Sequence, residues 1–169
     1  MPHRTTQSIY RAKDGCRLAF DVTGDGPPLV LLHGAGYRRQ DWHDVGYVER
    51  LACDFRVLNI DLRGNGDSDK PETPESYTIG ALTSDVVGVA DACGISSFML
   101  WGFSFGANVG RYLTAHGDRV SRFIMGGIPW GSATPGAWGK GVRSLVEKWR
   151  PILAARRAGT LDPNTNALP

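Results

Sequence analysis

Cysteine is scarce in this sequence. Cys16, Cys53 and Cys93 are odd in number, widely spaced and form no Cys-x-x-Cys pair. That excludes a disulfide frame and a zinc site, and reads as reduced thiols. Long apolar runs are also missing. Leu29-Val30-Leu31-Leu32 is typical of those present, far short of the roughly 20 residues that a membrane-spanning helix needs. The first fifteen residues are polar and mixed in charge, without the apolar stretch of a signal peptide. Nor is there a surplus of one sign of charge: 19 basic against 17 acidic residues give a net charge of +2. This is too small to point to nucleic acid or to an anionic membrane. The expectation is a soluble, cytoplasmic protein with neither of those partners and with no metal or organic cofactor.

What is present is ordinary globular material: 169 residues, 41% hydrophobic, with 22 glycines. That is enough for a single domain with its own core. Residues 8–23 predict a hairpin. Cys16, Leu18, Phe20 and Val22 alternate with polar or small residues around a Lys13-Asp14-Gly15 turn. Leu29–Leu32, Phe98–Trp101 and Phe123–Met125 are short runs apolar on both faces, and Val57-Leu58-Asn59-Ile60 is apolar but for Asn59; each reads as a buried strand inside a parallel sheet.

Between these strands lie helical patterns. One starts from an Asp41 cap and uses Trp42, Val45, Val48 and Ala52. A second runs from a Thr78 cap to a Gly94 stop, with Ile79, Leu82, Val86, Val89, Ala90 and Cys93 as its stripe. A third runs from about Phe105 to His116, packing through Val109, Tyr112 and Leu113. Strand–helix alternation of this kind predicts an α/β fold with a mostly parallel sheet and helices on both faces. Residues 62–77 read as a long loop. Beyond Gly126 the composition shifts to Gly, Pro and Ser, then to an amphipathic helix over 138–150. The domain reading is therefore 1–130 as α/β core, 131–158 as the start of a helical cap and 159–169 as a disordered tail.

The chemistry is concentrated at Gly102-Phe103-Ser104-Phe105-Gly106, between a buried strand and a helix. A serine held on a sharp strand-to-helix turn has its hydroxyl clear of the sheet, and glycines on either side let the two backbones approach. The amide of Phe105, at the helix N-terminus, faces a developing oxyanion. His33-Gly34, closing the first parallel strand, would bring the Ala35 amide opposite as a second donor. The competing interpretation is a glycine-rich turn with an incidental serine. For the His33 side chain itself, a structural role bonding loop backbone is preferred over catalysis. Arg63, in the following loop, is expected to pair with an acid such as Asp61 or Asp67.

LVLLHGAG, RVLNIDLRGNGDSDKP and WGFSFGANVGRYLTAHGDRVSRFIM, in this order and spacing, resemble the α/β-hydrolase fold family in its esterase, lactonase and C–C-hydrolase branch. The resemblance covers residues 8–130. Asn65 stands where the family often has histidine. Serine at 104, where dehalogenases and epoxide hydrolases use an aspartate that forms an ester on its carboxylate, argues against those two branches. The resemblance implies a serine hydrolase acting on a small ester, lactone or related carbonyl substrate through an acyl-enzyme. Ser104 is the nucleophile, Ala35 and Phe105 are the oxyanion hole, and Gly102, Gly106, His33 and Gly34 are supports.

Such a serine needs a histidine and an acid, which the family places after it in the chain. His116 is the one histidine beyond Ser104, and it falls roughly 18 Å along the helix. His3 and His43 have no positional claim, and a Ser104–His33 pairing lacks an acid. Three explanations stand: a fragment of a longer enzyme ending after a sixth strand and the start of a cap, a vestigial ligand-binding domain, or a site completed by another chain. A cofactor-free perhydrolase is a further alternative. If strand 123–125 lies at the sheet edge, self-association through that edge is expected.

Overall fold

The apolar runs Leu29–Leu32 and Val57–Ile60 form adjacent parallel strands that the sheet buries on both sides. In the computed structural model, which describes residues 4–128 together with 150, 151, 154, 155 and 158–160, six strands make one sheet. They are β1 (Thr5–Arg11), β2 (Arg17–Thr23), β3 (Pro28–Leu32), β4 (Arg56–Ile60), β5 (Phe98–Phe103) and β6 (Val120–Gly126). Their order is β1-β2-β4-β3-β5-β6. β3 runs parallel to β4 and β5, and β5 parallel to β6, while β2 is antiparallel to β1 and β4. The expected α/β architecture, with a mostly parallel sheet and helices on both faces, is present.

Among the described residues, four α-helices flank that sheet: α1 (Arg39–Asp44), α2 (Tyr47–Leu51), α3 (Ile79–Ala92) and α4 (Phe105–Ala115). Successive strand residues point to opposite faces, so each strand serves two cores. Val30, Leu32, Leu58, Ile60 and Leu100 pack with Leu82, Val86 and Val89 of α3 and with Val109 and Leu113 of α4. Leu29, Leu31 and Val57 face the other way, onto Trp42 of α1, Val48 of α2 and Ala52. The Thr78 hydroxyl accepts from the Ala81 amide at 3.2 Å, capping α3 as expected.

Several local expectations change. The hairpin begins at Thr5, and the second face of β2 is also covered: Ala19, Asp21 and Thr23 are buried, with Arg39 and His43 packed onto Asp21. The single helix expected from an Asp41 cap is two short ones. Gly46, at φ +76°, separates them, Asp41 sits inside the first turn accepting from the Arg38 amide at 2.8 Å, and Val45 is 66% exposed. Tyr112 of α4 is on the surface instead of in the packing face. Residues 62–77 contain a 3-10 turn, Pro74–Tyr77. β6 extends three residues earlier than its apolar run and has β5 as its neighbour at one edge of the sheet.

The chain divides into two compact units, 1–128 and 129–169. Most of the helix expected at 138–150 and the tail from 161 lie outside the described residues. In the second unit the Ala158 amide donates to Ala154 O at 3.0 Å and the Thr160 amide to Ala155 O at 2.9 Å. Gly159 between them is at φ +68°, a helix stop of the kind glycine favours. Among the described residues no helix is long and apolar enough to cross a membrane.

Candidate active site

β5 delivers its chain to the turn at Ser104, whose backbone has φ 50° and ψ −107°. It is the one non-glycine residue with positive φ among those described. A side chain in that region is strained by about 1–3 kcal/mol, and such strain persists where the surroundings over-determine it. Here they do. The Ser104 amide donates to Gly126 O at 2.8 Å, and Ser104 O accepts the first α4 bond from the Asn108 amide at 3.0 Å. A Cβ at Gly102 would stand 2.6 Å from the Ala107 backbone, and one at Gly106 would stand 2.3 Å from Leu32 O. Both elbow glycines are therefore steric requirements of the strand–helix contact.

The loop after β3 meets this turn directly. Leu32 is in register with Gly102, so His33 and Gly34 run beside Phe103 and Ser104. The Gly106 amide donates to His33 O at 3.0 Å, tying the two segments together. A Cβ at Gly34 would lie 3.4 Å from Ser104 Cβ. Ala35 and Phe105 each follow one residue after this close pair. Ala35 is on the surface, and Phe105 opens α4.

His33 is spent on backbone. Its Nδ1–H donates to Gly34 O at 2.8 Å, and its Nε2 accepts from the Leu62 amide at 3.0 Å. The ring is buried and neutral, and burial pulls its pKa below the usual histidine value despite the Gly34 carbonyl and the Asp61 charge. It links the β3 loop to the end of β4, which agrees with the structural role preferred for it. Protonation would destroy the acceptor. Because the folded pKa lies below the unfolded value of 6.5, this contribution is complete above that pH and is lost as pH falls through the folded value. His43 has the opposite sign. Burial lowers its pKa, but bonds to Glu49 (2.8 Å) and Asp21 (3.2 Å) outweigh it and the net shift is upward. A His43→Gln protein should therefore lose stability to urea steadily as pH drops below neutrality. A urea midpoint that stays flat down to pH 5 would contradict this reading of His33.

The loop after β4 departs from expectation. Arg63 pairs with neither Asp61 nor Asp67. Its Nε and Nη2 form a bidentate bridge to Asp85 of α3 at 2.5 and 2.7 Å, and its Nη1 reaches Asp14 at 2.8 Å and Ser76 O at 2.6 Å. Asp61 is unavailable because Arg39 claims it through both the backbone amide, at 2.6 Å, and the guanidinium. Arg39 also lies 3.3 Å from Asp21 and 3.0 Å from Asp67. Asn59 Nδ2 donates to Arg39 O at 2.9 Å. The Ala35–Arg38 segment thus hangs between a histidine clamp and an arginine clamp. Asn65 turns its amide onto Leu62 O and Arg63 O, at 3.4 and 3.2 Å, so it serves its own turn.

The histidine clamp matches the sequence expectation, whereas the Arg39–Asp61 and Arg63–Asp85 pairs were not among the pairs expected. Asp85 carried a signal, since it falls among the apolar positions Leu82, Val86 and Val89 of a helix stripe. Arg39 and Asp21 carried none. No described histidine is placed to serve Ser104: His33 and His43 are bonded as above, and His116 lies at the far end of α4, stacked on Tyr112. His3 lies outside the described residues.

Comparison with known proteins comes to the same architecture. Residues 27–164 match a family model described as alpha/beta hydrolase fold. The chain is 35% identical over 113 residues to "Epoxide hydrolase 3" of Siraitia grosvenorii, covering 66% of this chain and 35% of that one. It is 35% identical over 118 residues to "Soluble epoxide hydrolase" of Corynebacterium sp., covering 69% and 40%. Among solved structures, an epoxide hydrolase from Vigna radiata superposes with a TM-score of 0.72 at 26% identity, covering 83% of this chain and 46% of that one. The chain spans little more than a third of the length of the curated relatives it matches.

Proposed function

This chain belongs to the α/β-hydrolase fold family, and we propose that within it the protein is a hydrolase whose nucleophile is Ser104. The observation that carries the reading is the Ser104 backbone, held at φ 50° and ψ −107° between β5 and α4. A strained serine with glycine contacts on both sides is costly as a mere turn and useful as an elbow. The substrate is a small ester, lactone or related carbonyl compound. Ser104 Oγ attacks the carbonyl carbon, and the Ala35 and Phe105 amides receive the charge that develops on oxygen. Each such donor contributes about 3–4 kcal/mol of transition-state stabilisation. The bond from that carbon to the leaving alcohol oxygen then breaks, the alcohol departs with the proton taken from Ser104, and water hydrolyses the acyl-enzyme to the free acid. A histidine–acid pair must take and return the serine proton, and that base is none of His33, His43 and His116.

The names of the relatives favour a second reading, epoxide opening. Serine at 104 weighs against it, because the resemblance assigns a carboxylate nucleophile to that branch. One experiment separates these from a vestigial domain. With a histidine–acid pair supplied to the site, a fluorophosphonate probe should label the wild-type protein, and Ser104→Ala should abolish that label. p-Nitrophenyl acetate should be turned over in preference to styrene oxide. Turnover of the epoxide with no serine label would overturn the ester reading, and a folded protein inert to all three reagents would leave the vestigial one.

A further inference from the structure

Two large aromatic side chains flank Ser104 without belonging to either core cluster. Phe103, immediately before it, is 42% exposed, and Tyr37, in the loop after β3, is 54% exposed. They are not independent surface residues. Their rings meet edge to face, with centroids 6.3 Å apart and an interplanar angle of 88°. Gly34 lies where they converge. A Cβ there would stand 3.1 Å from the Phe103 ring, 3.3 Å from the Tyr37 ring and 3.4 Å from Ser104 Cβ. The absence of a side chain at Gly34 keeps the junction of both rings and the serine open. Behind Phe103, Gly127 at φ +71° brings its backbone against the ring, where a Cβ would be 2.7 Å away. That backs the ring from one side and limits its movement.

Exposed apolar surface of this kind favours association over solvation, and it marks ligand sites when it is contiguous. We propose that Tyr37 and Phe103 form an aromatic wall for the substrate, so that the site takes uncharged compounds carrying an aryl group next to the reacting carbon. The proposal rests on Ser104 being the nucleophile. An edge-to-face pair offers a third ring one face and one edge, both favourable for aromatic contact. The rings themselves carry no charge to reward an ionic acyl group.

Reversible serine ligands test this without needing turnover. Methylboronic and phenylboronic acid are titrated into the protein, with boron-11 NMR reporting the tetrahedral serine adduct and its Kd. After correction for the greater intrinsic Lewis acidity of an arylboronic acid, taken from the adducts of both acids with hydroxide, phenylboronic acid should bind at least about tenfold more tightly, which is what covering roughly half a phenyl ring delivers. Phe103→Ala and Tyr37→Ala should each cut that preference at least about threefold, with circular dichroism confirming the fold. The wild-type ratio stands as a test even if a variant fails to fold. Equal affinity for the two acids, or a preference unchanged in both folded variants, overturns the wall while leaving the serine reading intact. No tetrahedral adduct with either acid overturns both.

Discussion

Replacing Asp85 by alanine should destabilise the 1–128 unit by about 3–5 kcal/mol, because it leaves the Arg63 guanidinium charged and without its main partner. The side chains of Arg63 and Asp85 are 1% and 2% exposed, so water cannot take the carboxylate's place. The exposed Asp14 and the Ser76 carbonyl satisfy only one of the guanidinium nitrogens. A guanidinium is too basic to be deprotonated in a folded protein even without its partner, so the mutant cannot escape by losing a proton. Urea denaturation followed by tryptophan fluorescence measures the loss. Replacing both partners, Arg63→Met with Asp85→Leu, should recover most of it, since two apolar groups of similar volume need no solvation. A single mutant within about 1 kcal/mol of wild type would show that solvent or a rearranged partner reaches Arg63. The pair joins the β4 loop to α3 and does not touch Ser104, so the effect expected is on stability.

Gly106→Ala should be nearly as damaging and should reach the site as well. The added methyl would meet Leu32 O at 2.3 Å and His33 O at 2.7 Å. These are backbone atoms of the sheet, which cannot rotate away. α4 must retreat, at a cost of about 3 kcal/mol, the upper part of the range for overpacking. The Gly106–His33 bond and the Phe105 amide move with it. A displacement near 1 Å can cost about a hundredfold in rate, so probe labelling of Ser104 should fall by a similar factor. Ser104→Gly is the informative contrast. Glycine accepts φ 50° without strain, so that variant should gain about 1 kcal/mol while losing the proposed nucleophile. A rise in urea midpoint together with lost labelling would identify the strain as a property of the serine position. A fall in the midpoint would contradict it.

Much of this protein is written in short-range pattern. Runs apolar on consecutive residues suit strands covered on both faces, and β3 is one; the same pattern at Phe123–Met125 falls on the edge strand β6, where Ile124 is 57% exposed instead of buried. Thr78 and Gly94 bound α3 through local bonding and backbone freedom, both decided within a few residues. The elbow was legible for the same reason: Gly102, Ser104 and Gly106 are close in sequence, and the strand and helix they need lie on either side.

What only the tertiary structure decided depends on groups far apart in the chain. Composition cannot say which of several acids Arg63 meets. The choice of Asp85 over Asp61 followed from Arg39 having claimed Asp61, a competition among residues 22 positions apart. Burial of Asp21 required Arg39 and His43 to be brought onto β2, and the Tyr37–Phe103 ring contact required the loop after β3 to be carried to the end of β5 by their register. A local sequence determines the conformation of its own backbone because the governing contacts are its neighbours. Which charge is neutralised, and which ring faces the serine, is decided by packing across the sheet.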